Sequence, residues 1–169
     1  MINDIDKKIL NIIQKDARIA NAEIARQIGL APSAVLERLR KLEERGVIRG
    51  YAADIDAAQI GFGLTAFVFV RTSFCGSIGS VLAQIPEVLE VHDIAGEDCY
   101  LLKVRAENTE KLGIFFREKL KNLPEIISTR TTIVLQTIKE TTALPIEETA
   151  TIETDAPAQL KAKQSKKNK

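Results

Sequence analysis

The hydrophobic and polar positions change period near residue 63, and that change divides the chain. Before it, apolar residues recur at helical spacing. Ile5, Ile9, Ile12 and Ile13 stand at i, i+4, i+7 and i+8, which is one stripe of a helix. Asn3 is placed to cap that helix, with Asp6 three residues on to complete the capping interaction. A second, shorter helix is expected from Asn21, another capping residue, through Ile24, Ala25 and Ile28 to Gly29, which suits left-handed backbone. A third opens with Pro32 in its first turn and runs to Gly46. Three helices with such short connections must pack on one another, because none can bury its stripe alone.

After residue 63 the pattern is that of strands alternating with helices. LTAFVFVRTS (64–73) alternates weakly and is rich in Phe and Val, so it reads as a strand. Residues 77–85 read as a short helix stopping before Pro86, and VLEVHDIA (88–95) and CYLLKVRA (99–106) as two strands joined by Gly96-Glu97-Asp98. Thr109 can cap a helix running to about Asn122, before Pro124, and IISTRTTIVLQTIK (126–139) is β-branched and strand-like. The order β-α-β-β-α-β folds as an antiparallel sheet with both helices on one face, an α+β arrangement. Phe67, Phe69, Phe115 and Phe116 are its expected core rings. An edge strand and one sheet face would stay uncovered, so a homodimer is expected. From about residue 140 the chain is rich in Thr, Ala, Glu, Pro and Lys without apolar period, and a flexible, disordered tail is expected. The expected borders are therefore 1–62, 63–139 and 140–169, with Gly61-Phe62-Gly63 as a hinge.

The link Gly29-Leu30-Ala31 is what a helix-turn-helix requires, since it lets two helices cross steeply and the second present its outer face. On the third helix Val35, Leu39 and Leu42 fall on one side. The opposite arc carries Ser33, Ala34, Glu37, Arg38, Arg40, Lys41 and Arg45. Ser33 can meet a phosphate or base edge, small Ala34 allows close approach, and Arg or Lys can pair with guanine or phosphate, so the arc suits a DNA major groove. Arg49 would lie beyond the helix in a β-hairpin wing beside the backbone. The same arc also reads as a solvated face held by i,i+4 pairs such as Glu37–Lys41.

Composition narrows the alternatives. The 169 residues are 45% hydrophobic and 28% charged with a net charge of +1, which permits a local basic patch and argues for nothing more. No stretch approaches a membrane span, and the amphipathic MINDIDKK start is not a signal peptide, so a cytoplasmic protein is expected. Cys75 and Cys99 fall in no metal-ligand spacing and are not expected to make a disulfide framework; Cys99 reads as a small strand residue. His92 sits mid-strand, packed or facing solvent, rather than as a ligand. With one histidine, no Gly-rich phosphate loop and no Ser-His-Asp grouping, neither an enzyme nor a metal or cofactor is expected. An RNA-recognition module shares the β-α-β-β-α-β order but needs stacking rings on its third strand, where CYLLKVRA offers only Tyr100. The closing LKAKQSKKNK could add salt-sensitive attraction to DNA or be a solvated end.

INDIDKKIL, then NAEIARQIGLAPSAVLERLRKLEERGVIRGY, then AGEDCYLLKV resemble the Lrp/AsnC family, the leucine-responsive or feast/famine regulators of bacteria and archaea. The resemblance covers about residues 2–139 and is most specific from Glu23 to Tyr51. It implies a winged helix-turn-helix joined to a ferredoxin-like effector domain of the RAM type, acting as a transcriptional regulator on double-stranded DNA. It also implies dimerisation through the sheet, further assembly to octamers, and an amino-acid effector bound near the dimer–dimer contacts. The loop carrying Gly96, Glu97, Asp98, Cys99 and Tyr100 would contribute to that site, with Thr132 and Ile133 flanking it. Gly96 allows close backbone approach, and Glu97 or Asp98 can pair with an ammonium. Relatives often carry an aromatic and then Asp where Asp98 and Cys99 stand here.

Overall fold

A computed structural model describes residues 2–147. These residues form two compact units, 2–52 with 142–147, and Ala53–Thr141. Residues 53–62 thus group with the sheet, not with the helices before it.

The first unit holds α1 (Asp4–Ile13), α2 (Asn21–Ile28) and α3 (Pro32–Glu44). Asn3 accepts from the Asp6 amide while the Asp6 carboxylate accepts from the Asn3 amide, the expected capping box. The second helix begins differently from expectation. Ala20 occupies its cap position and Asn21 its first turn, with no side-chain cap bond. Gly29 ends α2 at φ 72°, the left-handed region, and the Leu30 amide reaches back to the Ala25 carbonyl. Ile9, Ile24, Ala25, Val35 and Leu39 form the core of this unit.

Residues 142–147 are not a free tail. Asn11 Nδ2 donates to the Ile146 carbonyl at 3.0 Å, and the Gln14 amide side chain exchanges bonds of 3.2 and 2.7 Å with the Leu144 backbone. The polar side of α1 supplies backbone partners to a segment whose own side chains show no apolar period. The lysine-rich end lies outside the described residues.

The second unit contains β1 (Leu64–Thr72), α4 (Gly79–Leu82), β2 (Val88–Asp93), β3 (Tyr100–Ala106), α5 (Thr109–Phe115) and β4 (Ile126–Ile133). Asn108, not Thr109, caps α5, which continues as a π-helical stretch over Phe116–Leu120. The sheet order is β2-β3-β1-β4 with every neighbour antiparallel, so β1 and β3 are central. Ala66, Val68, Val70, Tyr100, Leu102 and Val104 face the helices and pack with Leu82, Leu112, Phe115 and Leu120. Phe67 and Phe69 belong to the other face of β1 and lie outside this core, unlike the expectation for them. β4 ends at Ile133 rather than near 139, because its partner β1 begins at Leu64 and leaves later residues no strand to pair with.

Candidate DNA interface and effector loop

Helix α3 buries Val35, Leu39 and Leu42 and turns Ser33, Glu37, Arg40, Lys41 and Glu44 to solvent, with Ala34 half-buried. Leu36 is also exposed on α3 (57%), an apolar side chain absent from the arc read in the sequence. The wheel that placed Val35 inside puts Leu36 100° away, off the core stripe, and that was its signal. An exposed leucine beside cations can meet a thymine methyl.

Carboxylates hold the cations of this face loosely. Lys41 lies 3.1 Å from Glu37, and Arg40 lies 3.7 Å from Glu37 and 3.3 Å from Glu44. The Lys41 hydrogen bond, then the Lys41 and Arg40 charges, hold the Glu37 carboxyl below its usual range. All of these groups are about half exposed or more, so solvent screens each pair and it yields readily to a phosphate.

Arg38 stands apart from them. Its Nη1 donates to Asp6 Oδ1 at 2.8 Å and reaches Asn3 Oδ1 at 3.4 Å, joining α3 to the capping box of α1. The Asp6 side chain is only 10% exposed, and Arg38 30%.

Arg45 and Arg49 are exposed and form no ion pair among the described residues. The expected hairpin wing around Arg49 does not form, since no strand occurs between α3 and β1. Gly46, at φ 67°, ends the helix, and the Val47 and Ile48 amides both return to the Leu42 carbonyl, folding the chain back instead of pairing it. The Tyr51 hydroxyl donates to Glu43 at 2.8 Å; burial first, then that bond, pushes the phenol up to about 12.

In the second unit the loop after β2 is closed by the Ile94 amide on the Cys99 carbonyl. Gly96 and Glu97 are exposed at its tip. Asp98 pairs with Arg130 of β4 at 3.0 Å, and the Arg130 guanidinium lies 4.1 Å above the Phe69 ring. Thr132 shares the open sheet face with Arg130, two residues along β4. Ile133 alternates to the other face, opposite Ala66. Tyr100 is a core residue whose hydroxyl accepts from the Ile78 amide at 3.3 Å, and its ring packs against Gly79. The fold therefore gathers Asp98, Arg130 and Thr132 beside exposed Glu97, and withdraws Cys99 and Tyr100 into the interior. Arg130, missed in the sequence, was the one cation in an otherwise neutral strand.

Cys99 is bonded to Cys75, contrary to expectation. Spacing along the chain carried no sign of this, but antiparallel pairing of β1 with β3 does. Val70 lies opposite Tyr100, so the loop after β1 meets the residue before β3, and the Cys99 amide donates to the Val70 carbonyl at 2.9 Å. His92 faces solvent, 3.2 Å from Glu90.

Comparison with known proteins accounts for both units. Residues 2–49 match the winged helix-turn-helix DNA-binding family, and residues 65–144 match the Lrp/AsnC ligand binding domain. The HTH-type transcriptional regulator FL11 of Pyrococcus horikoshii is 39% identical over 148 residues, covering 86% of this chain and 97% of that protein. This chain belongs to the Lrp/AsnC family.

As members of that family do, it combines a DNA-binding helix-turn-helix with a ligand-binding α+β domain and is a transcriptional regulator. The leucine-responsive regulatory protein of Klebsiella pneumoniae is 33% identical, covering 86% of this chain and 92% of that protein. Among solved structures, a transcriptional regulator of Neisseria meningitidis in complex with L-methionine matches with a TM-score of 0.81 at 30% identity, covering 86% and 97% of the two chains. The feast or famine regulatory protein of Mycobacterium tuberculosis complexed with L-methionine matches at 0.80 and 32%, covering 87% and 100%. These relatives come from bacteria and archaea. Among the described residues no helix is long and apolar enough to cross a membrane.

Proposed function

We propose that this Lrp/AsnC regulator reads operators with the outward arc of α3, as a homodimer that assembles further to an octamer. The observation that carries the reading is the row Ser33, Glu37, Arg40, Lys41 and Arg45, solvent-facing on a helix whose other side is fully committed to the core. Ala34 and Leu36 allow close apolar approach, Arg40 and Lys41 exchange their carboxylate partners for base edges or phosphates, and Arg45 and Arg49 hold the backbone. Arg38 acts through α1, as the brace that sets the angle of the reading helix. Two such helices enter successive major grooves of a pseudo-palindromic site, about 34–36 Å apart. The open face bearing half-buried Phe67, Phe69 and Leu101 is what a second copy covers. A protein doing this works in the cytoplasm, on the nucleoid, without catalysis.

The effector is an amino acid or a related small molecule at the contacts between dimers. L-methionine occupies two of the similar structures, and the loop here has matching chemistry. Arg130 can take a carboxylate, while Glu97 and Asp98 can take an ammonium. Ligand acts by different affinity for different assembly states, and so changes DNA geometry. Operator footprints and calorimetry with the common amino acids test both halves. A footprint from one dimer on straight DNA that no amino acid alters would contradict the assembly and the effector together.

A further inference from the structure

Away from the Gly96–Tyr100 loop, at the other end of β3, the second unit contains a cavity that neither DNA reading nor the effector loop uses. Its volume is about 410 Å³, and it lies between residues 54–62, the start of β2, and Arg105 near the end of β3. The walls are apolar: Ile55, Ile60, Phe62 and Leu89 line it, and each is more than 40% exposed. A fold that leaves four large apolar side chains around one hollow has left them unpartnered.

The polar groups of this hollow are unbalanced. Among the described residues Arg105 is its one cation, and Arg105 is occupied, with Nη2 2.8 Å from Glu140 and Nη1 reaching the Phe62 carbonyl at 3.4 Å. Asp54 and Glu87 also line the cavity and have no cation partner among the described residues. Glu87 Oε2 is buried and accepts no hydrogen bond from any of the described residues. A buried carboxylate oxygen without a donor is unfavourable, so the site is poised for one.

We propose that this cavity binds a small organic cation, a primary amine on an apolar body. The ammonium donates to Glu87, with Asp54 adding to the field, and the apolar body replaces water against Ile55, Ile60, Phe62 and Leu89. A free carboxylate on the ligand is disfavoured, because Glu140 already neutralises the one arginine and the remaining groups are acidic. Amine and amino acid are thus separated by this site, whereas the Asp98–Arg130 loop offers partners to both ends of an amino acid.

The experiment is a calorimetric titration of the full chain with 3-methylbutylamine, L-leucine and 3-methylbutanoate, which share a branched apolar body and differ in charge. The amine should bind saturably and at least tenfold more tightly at this site than either carboxylate. Glu87→Gln should weaken the amine at least tenfold. Ala57→Phe, which fills the cavity and leaves Glu87 in place, should abolish amine binding in a protein whose circular dichroism is native. Amine binding unchanged by Ala57→Phe, or no preference for amine over 3-methylbutanoate, overturns the assignment. Asp98→Asn serves as the control and should leave amine binding unchanged; loss of binding there would assign the heat to the effector loop instead.

Discussion

Replacing Arg38 separates two roles that its place on α3 would otherwise confuse. The Arg38→Ala change removes a 2.8 Å charged hydrogen bond to Asp6, a side chain only 10% exposed. Asp6 Oδ2 keeps the Asn3 amide at 3.1 Å, but Oδ1 loses its donor. Exposed pairs contribute about 0–1 kcal/mol, and breaking a fully buried pair costs about 3–5. With one partner nearly buried and the other 30% exposed, the loss should be about 2 kcal/mol. Urea unfolding followed by circular dichroism measures it, and a double-mutant cycle with Asp6→Asn should give a coupling of at least about 1 kcal/mol. Operator affinity, measured well below the transition, should fall less than about threefold for Arg38→Ala and at least about fivefold for Arg40→Ala. Unchanged stability with a tenfold loss of operator affinity would refute the brace and make Arg38 a reader of DNA.

Three further outcomes follow from the second unit. Reducing Cys75–Cys99, 24 residues apart, should lower its stability by about 3 kcal/mol through loop-closure entropy, and Cys75→Ser should match the reduced protein; identical melting with and without a phosphine reductant contradicts this. Glu90 and Glu140 are held below their usual 4.5, each chiefly by its Lys103 hydrogen bond. Their contribution is therefore full above that value and lost as pH falls through the lowered ones, so Lys103→Met should flatten the acid limb of the stability curve; parallel curves would contradict it. Arg130→Ala should weaken amino-acid binding at the Asp98 loop at least tenfold while leaving the sheet intact by circular dichroism, and an unchanged calorimetric titration would remove Arg130 from that site.

Much of the fold was legible because local rules and tertiary packing agree there. The isoleucine stripe of α1, its Asn3–Asp6 box, and Gly29 between α2 and α3 each state their role within a few residues. Legibility failed where the decision is made by a distant partner. Phe67 and Phe69 alternate with Ala66, Val68 and Val70 in a strand apolar on both faces, so period alone cannot say which face is inside. The Cys75–Cys99 bond depends on which strands are neighbours, and the docking of 142–147 on α1 uses backbone groups that no side-chain pattern encodes. The core stripe of α3 was legible on its wheel, with Arg38 assigned outward because the wheel lacks α1. The candidate effector loop was proposed from resemblance, but Arg130 came only with the register that sets it beside Asp98.

The central claim, that the outward arc of α3 reads the major groove, is tested most directly by methylation-interference footprints on a selected operator. Wild type and Arg40→Ala should be compared on the same DNA. The account predicts two protected half-sites about one helical turn apart. It also predicts loss of one base contact in each half-site with Arg40→Ala, at a cost of about 1–3 kcal/mol. Identical footprints and affinities for the two proteins would contradict it.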